Sequence, residues 1–134
     1  MEELNVLLLL TPKKQVSYLE ENTNVRQALE KMRAHGYMAI PVLSKTGEYL
    51  GSISEGDLLW NIVDEEMDEE YMEETSIMEI IRKDYMPAVK VNVKSNELLQ
   101  MITIQNYVPI VDDRNILMGI VTRRRVLQEI LNKA

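Results

Sequence analysis

Gly51-Ser52-Ile53-Ser54 returns 68 positions later as Gly119-Ile120-Val121-Thr122. Each tetrapeptide places a turn-forming glycine before an apolar position and a hydroxyl residue that can cap a helix. The stretches Pro41-Val42-Leu43 and Pro109-Ile110-Val111 are related by the same offset, and so are the apolar positions of the helices that follow. A simultaneous match of apolar, turn and hydroxyl positions indicates two copies of one supersecondary unit.

The first copy is predicted to run helix, strand, strand, helix. Apolar residues at helical spacing predict an amphipathic helix after Asn24, where Gln27 completes a capping box and Gly36 closes the C-terminus. Strands are predicted over 37–43 and 48–53 around a short turn. A closing helix follows the second strand.

The second copy repeats this order with less room for its first helix. That helix is predicted after Ser95-Asn96, the strands over 107–111 and 116–121, and the closing helix over 123–131. Only 14 positions separate the helix start from the proline of the first strand, against 18 in the first copy. The helix should therefore be about one turn shorter.

An acidic stretch over 64–74 lies between the copies and is predicted to be helical. Met67, Tyr71 and Met72 fall at helical spacing and suggest one buried stripe. The acidic residues then form a solvated face; the alternative is a divalent-metal site, although no spaced Asp-x-Asp-x-Asp-Gly loop is present. Ser76 to Glu79 matches a second capping box before a further helix. The chain thus divides into 1–63, 64–75 and 76–134.

Composition excludes several classes of function. The chain of 134 residues has no cysteine and one histidine, His35, so thiolate zinc sites, disulfides and His-based metal sites or triads are excluded. A net charge of −7 argues against a general nucleic-acid binder. The aliphatic run 7–10 is too short to span a membrane or serve as a secretory signal, so we expect a cytoplasmic protein without a membrane partner.

Several of these features together resemble a CBS domain pair, the Bateman module. The marks are Thr11-Pro12, Met86-Pro87, Ala39-Ile40-Pro41-Val42 and the segment from Gly51 to Asp57, and they span almost the whole chain. The resemblance implies an α/β (α+β) fold of tandem βαββα repeats related by a pseudo-two-fold axis. It also implies two clefts for adenosyl ligands such as AMP, ADP, ATP or S-adenosylmethionine, a homodimer and a regulatory role.

A narrower resemblance concerns the small Firmicute CBS proteins that bind cyclic di-AMP. It rests on the segments Gly36-Tyr37-Met38-Ala39-Ile40-Pro41 and Gly119-Ile120-Val121-Thr122-Arg123-Arg124. It implies a free-standing sensor whose regulatory ligand is an adenine nucleotide or cyclic di-AMP and whose regulated protein partner is unknown.

In the first copy, Ser54 and Asp57 match the family's ligand signature at a strand-to-helix junction. The resemblance implies that the hydroxyl faces a phosphate and that the carboxylate accepts hydrogen bonds from ribose. Ser52 departs from the signature, which has an apolar residue after the glycine. The same two residues also fit a helix N-cap with an acidic third position, which needs no ligand.

In the second copy, the position of Asp57 is taken by Arg125, and Thr122 is followed by three arginines. Cations in the first turn oppose the positive end of the helix dipole at about 0.3–1 kcal/mol each. An anion bound at the helix N-terminus would compensate. Alternatively, some of the arginines pair with acidic neighbours such as Glu129 or the 64–74 stretch.

The resemblance assigns residues to two unequal clefts. The main cleft is predicted to combine a phosphate end at the arginines with an apolar wall for the adenine, on whose face Tyr37 stacks; alternatively, Tyr37 is a packed surface aromatic. Its residues are Val16, Ser17, Tyr37, Met38, Ala39, Pro41, Thr122, Arg123, Arg124 and Arg125. A weaker second cleft would comprise Ser54, Asp57, Val89, Lys90, Gln105 and Tyr107.

The predicted function is nucleotide sensing without catalysis. Apolar positions on the closing helices favour a homodimer built through them. The alternatives are a structural interaction module without a nucleotide ligand and an enzyme. No paired base and nucleophile, metal cluster or Gly-rich phosphate loop supports the enzyme.

Overall fold

The computed structural model describes residues 3–36, 38–82 and 84–133. The helices are α1 (Val6–Leu9), α2 (Val25–His35), α3 (Glu55–Asp64), α4 (Glu69–Glu74), α5 (Ser95–Ile102) and α6 (Arg123–Lys133). The strands are β1 (Thr11–Pro12), β2 (Leu19–Glu20), β3 (Ala39–Leu43), β4 (Tyr49–Ser54), β5 (Tyr107–Val111) and β6 (Leu117–Thr122). Short 3₁₀ turns lie at Lys13–Gln15 and Ile77–Glu79.

The chain forms two compact units. The central unit consists of residues 17–85, and the terminal unit consists of residues 1–16 together with 86–134, apart from the undescribed positions. Residues 3–16 therefore pack with the second sequence copy. The predicted boundaries 1–63, 64–75 and 76–134 divide the chain by sequence similarity, whereas these units divide it by packing, so those boundaries stay a prediction.

The two hairpins, β3–β4 and β5–β6, have the same antiparallel register. Five residue pairs of the first hairpin, from Ala39–Ser54 to Leu43–Tyr49, correspond at an offset of 68 to five pairs of the second, from Tyr107–Thr122 to Val111–Leu117. Both hairpins also carry a register irregularity before the last of these pairs. The repeat predicted from the sequence is thus present in the backbone pairing.

In the central unit, the sheet has the order β2-β3-β4, with β2 parallel to β3. Its buried core joins both strands of the hairpin to α2 and α3. The fully or almost fully buried members are Leu19, Val25, Ala28, Met32, Ile40, Val42, Ile53, Leu58, Ile77 and Ile80. Residues 80–82, here called the second leading segment, run beside β4, and Arg82 forms an antiparallel bridge with Ser52.

In the terminal unit, the sheet has the order β1-β6-β5. Residues 10–12, the first leading segment, include β1, which pairs antiparallel with β6 at Thr11–Ile120 and Pro12–Gly119. A parallel bridge from Val89 to Ile110 takes the place of β2. The core consists of Leu4, Val6, Leu9, Leu98, Ile102, Val108, Ile110, Val121 and Val126.

The predicted helix caps of the first copy are confirmed. Asn24 and Gln27 form a reciprocal capping box at the start of α2, and Gly36 ends it in the left-handed conformation, with φ of 67°. The first helix of the second copy is indeed shorter, with 8 residues in α5 against 11 in α2. The Ser95 hydroxyl does not cap α5; it accepts from the Leu4 amide and donates to Glu3, both at 2.7 Å.

The single acidic helix predicted over 64–74 is wrong. Helix α3 extends to Asp64 and a separate six-residue helix, α4, follows. Met67 and Met72 pack against the core of the central unit, while Tyr71 is exposed. The capping box of Ser76 and Glu79 is present, but it begins a single 3₁₀ turn instead of a helix.

Two glycines allow the leading segments to approach the hairpins. A Cβ at Gly119 would collide with the carbonyl oxygen of Thr11 in β1. The equivalent Gly51 has φ of 144° and would bring a Cβ to 3.0 Å from the Ile81 side chain. Close approach of the Thr11 backbone therefore accounts for glycine at position 119, and the Ile81 side chain together with the positive φ accounts for glycine at position 51.

Gly119→Ala is expected to destabilise the fold by about 1–3 kcal/mol, because β1 must move away from β6 to accommodate the methyl group. Gly56→Ala is the matched control, since its Cβ would have only ordinary contacts in α3, the nearest at 3.7 Å. The control should be neutral or stabilise by up to about 1 kcal/mol. Urea unfolding midpoints measure both variants; equal midpoints would contradict the close-approach argument.

Candidate functional site

Each unit has a strand-to-helix junction, and that of the central unit is a complete capping box. The Ser54 hydroxyl accepts from the Asp57 amide at 3.0 Å, and the Asp57 carboxylate accepts from the Ser54 amide at 2.9 Å. The pair satisfies two amide groups at the start of α3 without any ligand. The interpretation of Ser54 and Asp57 as a helix cap that needs no ligand therefore agrees with the structure.

The carboxylate of Asp57 also forms a two-pronged ion pair with Arg82. Arg82 Nε lies 2.9 Å from Asp57 Oδ1, and Nη2 lies 3.3 Å from Oδ2. The Asp57 side chain is 13% exposed and the Arg82 side chain 55% exposed. The guanidinium carbon lies 4.0 Å from the centroid of the Tyr85 ring. Arg82 was not predicted from the sequence, because it lies 25 positions from Asp57 and no repeat or helical spacing links the two residues.

The terminal unit has the same hydroxyl cap but no reciprocal partner. The Thr122 hydroxyl accepts from the Arg125 amide at 3.1 Å, which is the counterpart of the Ser54 contact. A guanidinium has only donors and cannot accept from the Thr122 amide as a carboxylate would. The second junction therefore has a hydroxyl cap without the reciprocal carboxylate contact, and three arginines in the first turn of the helix.

Arg123 is used to fasten the preceding helix. Its Nε donates to the carbonyl of Ile102, the last residue of α5, at 2.6 Å, and Nη1 donates to the Asn106 side chain at 2.9 Å. Its backbone amide donates to the Asn106 carbonyl at 2.8 Å. This side chain has a structural role.

Arg125 and Arg124 differ in their partners. Arg125 Nη1 lies 3.2 Å from a carboxylate oxygen of Glu129, and Lys133 approaches the other oxygen at 3.5 Å. This is the acidic neighbour foreseen from the sequence. Arg124 is exposed and has no side-chain hydrogen bond or ion pair within the described part of its unit. Arg124 is thus the arginine available to an anion.

An open groove of about 490 Å³ runs along the exposed face of α6 from this junction. It begins at Asn106 and the Thr122 cap and continues over apolar side chains. Its lining consists of Asn106, Thr122, Arg123, Arg124, Leu127, Gln128 and Leu131. The groove offers one free cation at its polar end and an apolar floor.

The other predicted residues of the terminal unit have internal roles. Val16 is buried, and Val89 donates to and accepts from β5 in the parallel bridge. Lys90 pairs with Asp113 at 3.1 Å. Gln105 is buried, and its amide donates to the carbonyls of Tyr107 at 2.9 Å and Pro87 at 3.4 Å. The buried side chain of Tyr107 opens β5.

The described residues of the predicted adenine wall, apart from Val16, lie in the central unit. Met38 is 67% exposed, and its carbonyl accepts from the Glu55 amide at 2.9 Å. Ala39 and Pro41 lie in β3, half-buried and buried respectively, and Ser17 is half-buried. Tyr37 lies outside the described residues. The structure distributes the main-cleft residues between both units, so their grouping into one site stays a prediction.

Ser52 departs from the family signature because it has a polar partner in the core. Its fully buried hydroxyl lies 2.7 Å from the hydroxyl of Tyr49, and burial raises the pKa of that tyrosine. In the terminal unit the corresponding positions hold Ile120 and Leu117, which are apolar. The substitution is therefore paired within the core and does not reach a ligand.

The acidic residues around α4 contact Arg26 of α2. Glu69 pairs with its Nη1, Glu73 lies 3.3 Å from the same atom, and Glu30 lies 3.2 Å from its Nε. Within the described residues, no group of three or more His, Asp or Glu side chains is arranged to hold a metal ion. Among all the described residues, no helix is both long enough and apolar enough to cross a bilayer.

Two repeated hairpins, each followed by a capped helix, define a tandem α/β module. The family model of the CBS domain matches it twice, over residues 9–64 and 73–132, so the chain belongs to the CBS domain family. The predicted CBS pair and its α/β (α+β) fold class are confirmed. No curated protein matches the chain.

Solved structures of similar length share the fold. A hypothetical conserved protein from Geobacillus kaustophilus is 25% identical, with a TM-score of 0.89 over 99% of this chain and 100% of that one. CbpB from Listeria monocytogenes in complex with c-di-AMP is 23% identical, with a TM-score of 0.88 over 97% of each chain. CBSX2 in complex with AMP is 22% identical, with a TM-score of 0.77 over 96% of each chain.

The ion pair of Arg125 and Glu129 should give a defined pH dependence. The hydrogen bond from Arg125 is the main cause that lowers the pKa of Glu129 below its ordinary value of 4.5. The stabilisation is therefore present above that ordinary value and is lost as the pH falls through the lowered pKa of the folded state. The Tm difference between the parent and Glu129→Gln should be larger at pH 6 than at pH 3.

Glu74→Gln is the control, because it removes one exposed carboxylate from α4 and none from the pair. The same Tm difference at both pH values for Glu129→Gln would show that the pair contributes nothing in solution.

Proposed function

We propose that the chain is a regulatory module that binds a phosphate-bearing adenosyl ligand and signals its occupancy to a partner protein. AMP, ADP, ATP and cyclic di-AMP are the ligands considered. The proposal rests mainly on one observation: Arg124 lies in the first turn of an 11-residue helix with no counter-charge in the described part of its unit.

Electrostatics support an anion at this position. The first turn of α6 has three cations where the helix dipole already places positive charge, which costs about 0.3–1 kcal/mol for each exposed cation. Arg123 and Arg125 recover part of that cost through Asn106, Ile102 and Glu129. A phosphate would compensate Arg124, while the amides of Arg123 and Arg125 are already used by Asn106 and the Thr122 hydroxyl.

Solved relatives favour an adenine nucleotide among phosphate-bearing ligands. CbpB was crystallised with c-di-AMP and CBSX2 with AMP, and both ligands combine adenine with phosphate. In this chain the adenine is proposed to contact Ser17, Met38, Ala39 and Pro41, with Val16 and Tyr37 completing the wall. Exposed Met38 and half-buried Ala39 suit the face of a base.

We further propose a homodimer. Leu59, Trp60 and Val63 form an exposed apolar stripe on α3, and Leu127, Ile130 and Leu131 form one on α6. Unpartnered apolar stripes of this kind are typical of protein interfaces. A second copy that covers them would remove both from water, as the resemblance to dimeric CBS pairs implies.

The proposed role is regulatory and not enzymatic. Asp57, the carboxylate at the central junction, is used by the capping box and by Arg82, which makes it a poor general base. The competing candidate is a structural interaction module whose junctions hold no nucleotide. Its supporting observation is the self-sufficient cap of Ser54 and Asp57.

Arg124→Ala is expected to weaken nucleotide binding by about 1.5–3 kcal/mol, roughly 10- to 150-fold in Kd, the scale of a charge-assisted hydrogen bond. Arg125→Ala should weaken it less, because Glu129 already holds that guanidinium. Asp57→Ala should leave this site almost unchanged. Calorimetric titration with AMP, ADP, ATP, S-adenosylmethionine and cyclic di-AMP measures these affinities.

Arg114→Ala is the charge-matched control, since it removes one arginine from the exposed turn between β5 and β6. A parent protein that binds none of the five compounds would support the structural module instead. Loss of binding in Asp57→Ala with full binding in Arg124→Ala would assign the ligand to the other junction.

Leu59→Glu on α3 and Leu131→Glu on α6 are each expected to convert the dimer to a monomer at tens of micromolar, because each buries a carboxylate in an apolar interface. Light scattering measures the mass, and the emission of Trp60, the single tryptophan, reports burial of α3. Ile104→Glu, at an 84% exposed position outside these helices, is the control. A monomeric parent would contradict the proposal.

A further inference from the structure

The two junctions carry arginine on different elements: the central unit on its leading segment, and the terminal unit on the helix. Arg82 bridges to Ser52 in the central unit as Thr11 pairs with Ile120 in the terminal unit, and Ser52 and Ile120 are equivalent at the offset of 68. The central unit therefore has its arginine on the leading segment and a carboxylate, Asp57, on the helix. The terminal unit has a neutral threonine on the leading segment and arginine on the helix.

We infer that Arg82 is a specificity-determining residue that occupies the junction at the start of α3, so that each chain offers one nucleotide site, at α6. This inference rests on the proposed function. It explains the inequality of the two predicted clefts through an internal ion pair, and it assigns Arg82 a role in selecting where the ligand binds.

The geometry leaves little of the Asp57 carboxylate for a ligand. One oxygen accepts from the Ser54 amide at 2.9 Å and from Arg82 Nη2 at 3.3 Å. The other accepts from Arg82 Nε at 2.9 Å. A carboxylate has about four acceptor positions. Only the second oxygen keeps one open position, so the two neighbouring hydroxyls of a ribose cannot both be received.

The guanidinium is held in this pose before any ligand arrives. Its backbone is tied to Ser52 by the bridge, and its plane lies over Tyr85 at 4.0 Å. A side chain restrained in this way loses little further rotamer entropy when it pairs with a carboxylate. A ligand that binds the largely buried Asp57 carboxylate must therefore displace the Arg82 guanidinium, which is already held in place.

The test is the number of AMP molecules bound per chain in Arg82→Met, which keeps the apolar cover over Tyr85 and removes the guanidinium. Calorimetry should find one AMP per chain in the parent and two in the variant. The new site should prefer AMP to 2′-deoxy-AMP by about tenfold or more, since Asp57 then receives both ribose hydroxyls. Arg82→Met combined with Asp57→Asn should return to one.

Arg114→Met, which removes an arginine from an exposed turn, is the control and should stay at one AMP per chain. Circular dichroism verifies folding. If Arg82→Met is unfolded, Arg82→Lys replaces it, because lysine keeps the charge without the two-pronged guanidinium. The same gain of one site is expected.

The possible outcomes separate this inference from the proposed function. Two sites in the parent, or one site in both parent and Arg82→Met, would overturn the role of Arg82 and leave nucleotide sensing in place. No site in the parent but one in Arg82→Met would support the role of Arg82 and contradict binding at α6. No AMP binding in either protein would overturn the role of Arg82, and the proposed function falls as well if the other four compounds of the titration also fail to bind.

Discussion

The close approach of a short backbone segment to the second strand of each hairpin is the constraint on which the rest of this structure depends. In the terminal unit the carbonyl of Thr11 occupies the space that a side chain at position 119 would fill. In the central unit Gly51 leaves room for Ile81 and Arg82. Without Gly119, β1 could not pair with β6 in its present position, and Thr11 and Pro12 would lose their place in the terminal sheet. A side chain at position 51 would press on the Ile81 side chain and require a strained backbone.

The same pairing determines the chemistry of the junctions. It brings Arg82 beside Asp57 in one unit and a neutral threonine to the equivalent position in the other. The two hairpins thus share one register, but the junctions beside them differ in where their charged side chains lie. The Asp57 junction is neutralised internally, whereas the junction of α6 retains an exposed arginine, Arg124. Duplication supplies two similar frames, and substitution at a few polar positions makes them unequal.

Local signals predicted much of the fold. The two hairpins, the capping box at Asn24, an N-cap at Ser54 and the shorter α5 follow from residues close together in the sequence, and they are present as predicted. The prediction of one helix over 64–74 was wrong because α3 ends at Asp64, Glu66 has a left-handed backbone and Asp68 caps a separate helix, α4. The start of α5 was also misplaced, since the helix begins at Ser95 and not after Ser95-Asn96, and the Ser95 hydroxyl binds Leu4 and Glu3, more than ninety positions away.

By itself, the sequence determined that this protein is a duplicated α/β module with capped closing helices and one junction rich in arginine, since repeats, caps and charges are properties of neighbouring residues. Only the tertiary structure decided which of those charges are free. Arg123 is used by α5, Arg125 by Glu129 and Asp57 by Arg82, whereas Arg124 is left exposed. The physical reason is that an ion pair depends on distances of about 3 Å between side chains. For Arg123 and Asp57, whose partners lie 21 and 25 positions away, chain folding sets those distances. For Arg125 and Glu129, four positions apart in α6, helical spacing already sets the distance.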